Sequence, residues 1–309
     1  MSALRVGFLG PLGTFTHEAT LSQDDLAKSF LVPLSSIADV LHAVATGEVH
    51  RGVVPLENSI EGTVSATIDS LIFGQDLLIE REIVMPITLS LVAPTGLTLA
   101  EATEVWSYPH ALAQCRTFIT SLGGVTEKVA ASTADAARQV AEMKSTAVAV
   151  APALAADLYG LSVLASGIED HVGNETKFVV VGRNEIPGAS GRDRTTIVCF
   201  QDADRPGSLY EILGRFAARN INLTRLESRP TKKGLGDYCF VIEFQGHILD
   251  DVVGSCLADL QAHLARVKFL GSYPVTGNVS DPPNPSVATA QTEATLWVQN
   301  LRAKVRDSS

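Results

Sequence analysis

The chain has 309 residues, which is long enough for two domains with separate cores. Its formal net charge of −10 at pH 7 argues against nonspecific binding to nucleic acid or to an anionic membrane, because both need a basic surface. No apolar run approaches the ~18 residues of a membrane span, the first residues lack a secretory pattern, and four widely spaced cysteines are typical of buried free thiols. We therefore expect a cytoplasmic protein without a metal site, since no His/Cys group has metal-ligand spacing.

The first 184 residues alternate between strand and helix patterns. Strands are predicted at 4–10, 51–57, 83–93, 105–109 and 147–150, and helices at 14–27, 36–44, 111–122, 132–140 and 151–159. This alternation is typical of a parallel α/β sheet. Residues 81–171 are interpreted as a second lobe inserted into a first lobe, which comprises about 1–80 and 172–184. The apolar strand that contains Val179 is expected to return the chain to the first sheet.

The rest of the chain has a different order of elements. After a polar linker the predicted elements are strand, helix, strand, strand, helix and strand, at 195–202, 207–220, 222–230, 238–246, 250–264 and 266–275. This βαββαβ order over ~80 residues predicts a ferredoxin-like domain at 195–275. Residues 276–309 are interpreted as a turn-rich tether and an amphipathic helix at 289–305, with Leu296, Trp297 and Leu301 on one side.

Polar residues cluster where strands of the first domain end, and ligands of open α/β sheets bind at the carboxyl ends of strands. Asparagine, glutamine and serine side chains can hold a carboxylate or a hydroxyl without being ionised. For several of these positions the alternative is that the side chain caps the following helix. The candidates are Thr14, Glu57, Asn58, Ser59, Thr63, Ser107 and Gln114.

Thr176 is the strongest single candidate. A short polar loop places it at the start of the apolar run 178–181. In a cleft its hydroxyl could donate a hydrogen bond to a leaving hydroxyl as charge develops. The alternative is a threonine that merely begins a strand, where threonine is favoured, and Thr176 alone would favour that alternative.

Four segments, taken together and in order, resemble the prephenate dehydratase family from Gly7 to about Val275. They are Gly10-Pro-x-Gly-Thr-Phe-Thr-His-Glu, Val54-Pro-x-Glu-Asn-Ser, Pro109-x-Ala-Leu-Ala-Gln-Cys and Asn174-x-Thr-x-Phe. The resemblance implies a two-lobed catalytic domain like a type II periplasmic binding protein, with its active site in the cleft and without a cofactor. It implies the conversion of prephenate to phenylpyruvate, CO2 and water.

The resemblance also implies a role for each site residue. Thr176 donates to the leaving hydroxyl, Asn58, Ser107 and Gln114 bind and orient the substrate, and Glu57 shapes the site. Thr14, Ser59, Thr63, Lys177 and Phe178 complete the substrate pocket. The chain departs from the family pattern at three places: Lys177 stands in place of Arg, Tyr108-Pro-His110 in place of His-Pro-Gln, and Ser208 in place of Ala.

The second domain resembles the ACT domain that senses L-phenylalanine in this family. The resemblance implies an L-phenylalanine site at the interface of two subunits, in a homodimer or a dimer of dimers. The helix start at Gly207 suits the carboxylate of the amino acid, because its N–H groups are exposed. An ACT domain used only for dimerisation is the alternative. The implied site residues are Asp204, Pro206, Gly207, Ser208, Leu209, Asn222, Leu223, Thr224, Glu227 and Ser228.

Two rival functions remain open from the sequence. Arogenate dehydratase performs the same chemistry on a substrate with an amino acid side arm. A non-catalytic amino-acid-binding regulator is the more distant rival, since the two-lobed fold also binds solutes.

Overall fold

The computed structural model describes residues 4–143, 145–201, 205–232, 234, 237–276, 295–302 and 304. The chain divides into two compact units, Met1–Ile186 and Pro187–Ser309. Among the described residues, no helix has the length and apolar character needed to cross a bilayer.

The first unit contains two sheets flanked by helices. Its elements in chain order are β1 Arg5–Leu9, α1 Phe15–Leu21, α2 Asp24–Ala27, β2 Phe30–Leu34, α3 Ile37–Thr46, β3 Arg51–Asn58, β4 Gly62–Thr63, α4 Ser65–Asp69, β5 Leu78–Pro86, β6 Ser90–Pro94, β7 Glu104–Ser107, α5 Pro109–Gln114, α6 Arg116–Ser121, β8 Thr126–Val129, α7 Thr133–Met143, β9 Ala147–Ala151, α8 Ala153–Tyr159, β10 Leu161–Ser166 and β11 Glu175–Gly182.

Each sheet forms the centre of one lobe. The first has the order β2-β1-β3-β11-β5, with β4 paired to β3, and the second has the order β10-β6-β9-β7-β8. β1 runs parallel to β2 and β3, whereas β11 is antiparallel to both β3 and β5. The chain crosses to the second sheet between β5 and β6 and returns between β10 and β11. The polar segments at 58–62 and 170–176 lie beside these crossings.

Both sheets are buried on two faces. In β9 the residues Val148 and Val150 pack on one side with α5 and α6, whereas Ala147, Ala149 and Ala151 pack on the other side with α7 and α8. All five are at most 1% exposed. A strand buried on both faces is apolar throughout, which explains its unbroken apolar sequence.

Three of the predicted elements were wrong in extent. The strand expected at 83–93 is two strands in different sheets, β5 and β6, because Pro86 cannot donate to a ladder and ends β5. β5 therefore lies wholly in the first sheet, beyond the boundary expected near residue 80. The helix expected at 14–27 is broken after Leu21, where Ser22 caps α1, and the helix at 111–122 is broken at Cys115.

The second unit has the predicted βαββαβ order. Its elements are β12 Asp193–Phe200, α9 Ser208–Ala217, β13 Leu223–Pro230, β14 Tyr238–Gln245, α10 Asp251–His263 and β15 Arg266–Pro274. The strands form one antiparallel sheet in the order β13-β14-β12-β15. Residues 295–302 are helical, whereas the rest of the expected helix, 289–294, 303 and 305, and most of the tether lie outside the described residues.

Candidate active site

The pairing of β3 with β11 brings the main candidates together. Thr176 lies opposite Asn58 in this antiparallel pair, and Lys177 lies opposite Glu57. Thr176 is 7% exposed. Two motifs that are 118 residues apart in sequence therefore meet at one end of the sheet.

The side-chain amide of Asn58 has a fixed orientation. Its Oδ1 accepts the backbone N–H groups of Ile60 at 2.9 Å and Glu61 at 3.0 Å, so its Nδ2 must be the donating end. That Nδ2 donates to Thr176 Oγ1 at 2.9 Å. The hydroxyl of Thr176 is therefore an acceptor here, and its own hydrogen has no acceptor among the described residues.

Asn174 belongs to the same network, although the sequence analysis quoted it in a motif without giving it a role. It is 4% exposed, and its Oδ1 accepts from Asn58 Nδ2 at 2.7 Å. Its Nδ2 donates to Gln114 Oε1 at 3.4 Å, which joins the first lobe to α5 of the second. Ser59 adds a weaker contact to Asn174 Oδ1 at 3.5 Å, and its Oγ accepts from the backbone of Glu175 at 2.9 Å.

Three of the expected site residues make structural contacts, and their roles toward the substrate stay predictions. Ser107 is fully buried and donates its only hydroxyl hydrogen to the Val150 carbonyl at 2.6 Å. Thr14 caps α1, with its Oγ1 donating to the Leu9 carbonyl at 3.0 Å. Phe178 is 2% exposed in the core beneath the first sheet. The sequence could not foresee these contacts, because they depend on which way each side chain turns.

Lys177 has an acidic partner. Its Nζ lies 3.8 Å from Oε2 of Glu82, a side chain that is 1% exposed. Glu57 lies directly across the ladder from Lys177, and Thr63 lies across from Glu57 on β4. Successive side chains of a strand point to opposite faces, so Lys177 and Thr176 diverge. Contact between Lys177 and a substrate carboxylate stays a prediction.

The glycine-containing turn 10–13 also joins the two lobes. Gly13 has φ +86°, and a Cβ built there would lie 3.1 Å from Ala155 on α8, so this position requires glycine. The Tyr159 hydroxyl donates to the Leu12 carbonyl at 3.0 Å. His17 Nδ1 accepts the Gly13 N–H at 3.1 Å, and burial lowers the pKa of His17. His17 is thus a neutral, structural histidine.

Neither thiol chemistry nor a protein-held metal is suggested by the site. Cys115 is fully buried, and burial raises its pKa to about 12, so it is a core residue as expected. No group of three His, Cys, Asp or Glu side chains within the described ranges could hold a metal ion.

The expected sensor residues at the start of α9 are accessible. Gly207 is the N-cap, with φ +88°, and no atom lies within 4 Å of a Cβ built on it. Pro206 is exposed and Leu209 half-buried. Ser208 Oγ accepts from Gln201 Nε2 at 2.8 Å. Asp204 lies outside the described residues.

The expected sensor residues of β13 are more constrained. Glu227 Oε2 pairs with Arg225 at 2.7 Å and its Oε1 pairs with Arg229 at 3.0 Å, so two guanidinium groups already offset its charge. Thr224 Oγ1 donates to Glu243 Oε1 at 2.8 Å. The other members of this set are Asn222, Leu223, which packs against the core, and the exposed Ser228.

The fold and site together define a class of protein. A two-lobed α/β unit carries a network of polar side chains between its lobes, and a small βαββαβ unit follows it in the chain. Family models agree: "Prephenate dehydratase" matches residues 6–186 and "ACT domain" matches residues 195–261. The chain belongs to the prephenate dehydratase family, and the predicted resemblance and fold class are confirmed.

Individual relatives support this assignment over nearly the whole chain. The prephenate dehydratase of Mycobacterium marinum is 38% identical in an alignment 314 positions long, which covers 96% of this chain and 96% of that one. The crystal structure of prephenate dehydratase from Arthrobacter aurescens in complex with L-Phe has a TM-score of 0.86 and 37% identity, covering 97% of this chain and 100% of that one. The structure of GqqA, a novel type of quorum quenching acylase, has a TM-score of 0.80 and 30% identity, covering 88% and 98%.

Proposed function

We propose that this chain converts prephenate to phenylpyruvate, CO2 and water in L-phenylalanine biosynthesis, and that L-phenylalanine controls the reaction. The observation that carries the proposal is the hydrogen bonding of the Thr176 hydroxyl. It accepts from Asn58 and keeps its own hydrogen for a further acceptor. The oxygen that leaves C4 of prephenate is an acceptor of this kind.

The reaction needs few groups from the protein. The bond between the ring and its carboxylate breaks, its electron pair enters the ring, and the C4–O bond breaks as the ring becomes aromatic. The departing oxygen takes a proton, which the solvent supplies overall, and leaves as water. Thr176 donates to that oxygen while negative charge develops on it. The Asn58 N–H bound to Thr176 Oγ1 polarises the hydroxyl and strengthens it as a donor.

The neutral polar groups suit the rest of the substrate. Prephenate carries two carboxylates, and the one that departs as CO2 must not be held by a strong ion pair, since that would stabilise the ground state. Amide groups of Asn174 and Gln114 and the hydroxyl of Ser59 can orient carboxylates by hydrogen bonds alone. Lys177 is proposed to add a positive charge that Glu82 moderates.

L-phenylalanine is proposed to bind at the start of α9. The first N–H groups of this ten-residue helix lie beside exposed Pro206 and Gly207, where they can receive the carboxylate of the amino acid. Because Arg225 and Arg229 already hold Glu227, recognition of the ammonium group requires Glu227 to share its oxygens. A second copy of the chain is proposed to complete the site.

The proposed assembly is a homodimer or a dimer of dimers in the cytoplasm. β13 is an edge strand of the described sheet, and its Leu226 side chain is 44% exposed, so this edge can accept a partner. Light scattering of the purified protein with and without L-phenylalanine tests the assembly. A monomer at micromolar concentration would contradict it.

The surroundings of the Thr176 hydroxyl disfavour acylase activity, which is the hydrolysis of an amide. Amide hydrolysis by a threonine needs a base that takes its proton. Among the described residues, the side chain that hydrogen-bonds Thr176 Oγ1 is the amide of Asn58, which is not a base. The substrate is tested by measuring kcat/KM for prephenate, arogenate and an N-acyl amide side by side. The proposal predicts the highest value for prephenate, and a higher value for either rival would overturn it.

A further inference from the structure

The loop between β3 and β4 faces helix α5 through one carboxylate. Glu61 Oε1 accepts from Gln114 Nε2 at 3.4 Å, and Glu61 Oε2 lies 3.3 Å from His110 Nδ1. His110 and Gln114 are four residues apart on α5, so they lie on the same face of that helix. A single side chain of the first lobe therefore contacts two side chains of the second.

Glu61 also closes a ring of hydrogen bonds that has a single direction. Its backbone N–H donates to Asn58 Oδ1, and Asn58 Nδ2 donates to Asn174 Oδ1. Asn174 Nδ2 then donates to Gln114 Oε1, and Gln114 Nε2 donates back to Glu61 Oε1. Each amide in the ring has one donating and one accepting end. A carboxylate can only accept, so Glu61 allows only this direction.

The hydrogen bonds of the ring are shorter within the first lobe than between the two lobes. The ring bonds between Asn58, Glu61 and Asn174 are 2.7 and 3.0 Å long. The two hydrogen bonds that reach α5, from Asn174 to Gln114 and from Gln114 to Glu61, are both 3.4 Å long, and the contact between Glu61 and His110 is 3.3 Å long. An approach of the lobes by about half an ångström would give these bonds ordinary lengths. Catalytic hydrogen bonds commonly tighten in this way when substrate binds.

We propose that Glu61 is a positioning residue that closes the cleft on the substrate. It holds Gln114 against Asn174 and so fixes the amide groups that orient Asn58 and, through Asn58, Thr176. Its negative charge makes it unsuited to contact a substrate with two carboxylates, so it acts through its neighbours. This inference rests on the proposed dehydratase function and adds a residue to which no role has been given.

The kinetic test replaces Glu61 by Ala and by Gln, with Glu48→Gln as a matched control at an exposed acid outside the ring. Removing a carboxylate that accepts from Gln114 and lies beside His110 should lower kcat/KM by about 10- to 100-fold, mainly through kcat. Glu61→Gln keeps an acceptor for Gln114 and should recover most of that loss. Glu48→Gln should match the wild type.

A double-variant cycle separates positioning from a general structural role. In a Gln114→Ala background, Glu61→Ala should change kcat/KM by less than about threefold, because the partner through which Glu61 acts is already absent. An equal loss in both backgrounds would overturn the proposal. So would wild-type kcat/KM in Glu61→Ala.

Hydrogen exchange supplies a readout that does not depend on turnover. Glu61→Ala should accelerate amide exchange at 110–114 relative to the wild type and to Glu48→Gln. Unchanged exchange there would overturn the proposed positioning role of Glu61, whatever the substrate. A wild type that fails to convert prephenate, while exchange responds to Glu61→Ala, would refute the proposed function but not the positioning role of Glu61.

Discussion

Thr176→Val is the sharpest test of the proposed catalytic group, because valine has nearly the shape of threonine and lacks the hydroxyl. Asn58 Nδ2 would lose the acceptor at 2.9 Å but would keep Asn174 Oδ1 at 2.7 Å and the Glu175 carbonyl at 3.2 Å. The expected stability loss is therefore about 1 kcal/mol, the net value of one hydrogen bond. In a unit of this size, that lowers Tm by about 2–4 °C.

The expected kinetic effect is larger than the stability effect. Removing one donor to a developing negative charge typically costs about 10²- to 10³-fold in kcat. This corresponds to about 3–4 kcal/mol in the barrier, three or more times the predicted loss of stability. KM for prephenate should change little, because the hydroxyl acts mainly as the C4–O bond breaks.

The assay is phenylpyruvate formation at saturating prephenate, with Thr176→Ser as the matched variant that keeps a hydroxyl and should keep much of the activity. Thermal melting of all three proteins checks folding. A folded Thr176→Val with kcat within about threefold of the wild type would refute the reasoning. Thr176 would then be a residue that only begins a strand.

Three further outcomes are expected. Lys177→Met should raise KM for prephenate and Lys177→Arg should preserve or lower it, because a guanidinium group suits carboxylates better than an ammonium does. Gly207→Asn and Gly207→Val should both abolish inhibition by L-phenylalanine while basal turnover persists, since either side chain fills the open space at the start of α9. Acidification below about pH 6.5 should destabilise His17→Gln less than the wild type. Burial lowers the pKa of His17 in the folded state, so the unfolded chain binds a proton at a higher pH than the folded chain does. The wild type therefore loses stability as the pH falls from the unfolded-state pKa toward the folded-state pKa.

Each of these outcomes has its own control. The double variant Lys177→Met/Glu82→Gln removes both charges of the pair, so a KM restored to the wild-type value would mean that Lys177 acts through Glu82 and does not touch the substrate. Gly214→Ala lies within α9 where a Cβ meets nothing, and it should keep the response to L-phenylalanine. Asparagine tolerates positive φ better than valine, so loss of the response in Gly207→Val alone would indicate strain. An equal fall in Tm between pH 7.5 and 5.5 for wild type and His17→Gln would contradict the assignment of His17.

The order of elements was largely predictable from sequence, and most of the missed strands lie at sheet edges. The sequence analysis missed β2, β8 and β10, which are edges of their sheets, and the two-residue β4, which is paired to β3. Edge strands are partly exposed, so polar residues interrupt β8 and β10, unlike a central strand such as β9. β2 is apolar throughout, but Pro33 lies within it, and a proline inside a short run argues against a strand. The run at 83–93 was apolar enough to read as one strand, because nothing local reveals that its halves enter different sheets.

The sequence could place candidate residues where their position along a strand decides their neighbours. Asn58 ends β3 and Thr176 lies near the beginning of β11, and the two lie opposite each other, whereas their catalytic roles stay predictions. Asn174 and Glu61 were given no role, because their contribution arises from the register of β3 against β11 and from contact with α5. Ser107 lies where the sequence places it, but its hydroxyl donates to a main-chain carbonyl, a contact that the sequence does not reveal.

The most direct test of the central claim is the rate of phenylpyruvate formation from prephenate by the purified chain, measured with and without L-phenylalanine and without added metal. The account predicts turnover with equal amounts of phenylpyruvate and CO2, and a several-fold to hundredfold change in apparent substrate affinity when L-phenylalanine binds, the effect of a coupling of ~1–3 kcal/mol. No phenylpyruvate under these conditions would contradict the proposed reaction. Turnover that ignores saturating L-phenylalanine would contradict the proposed control.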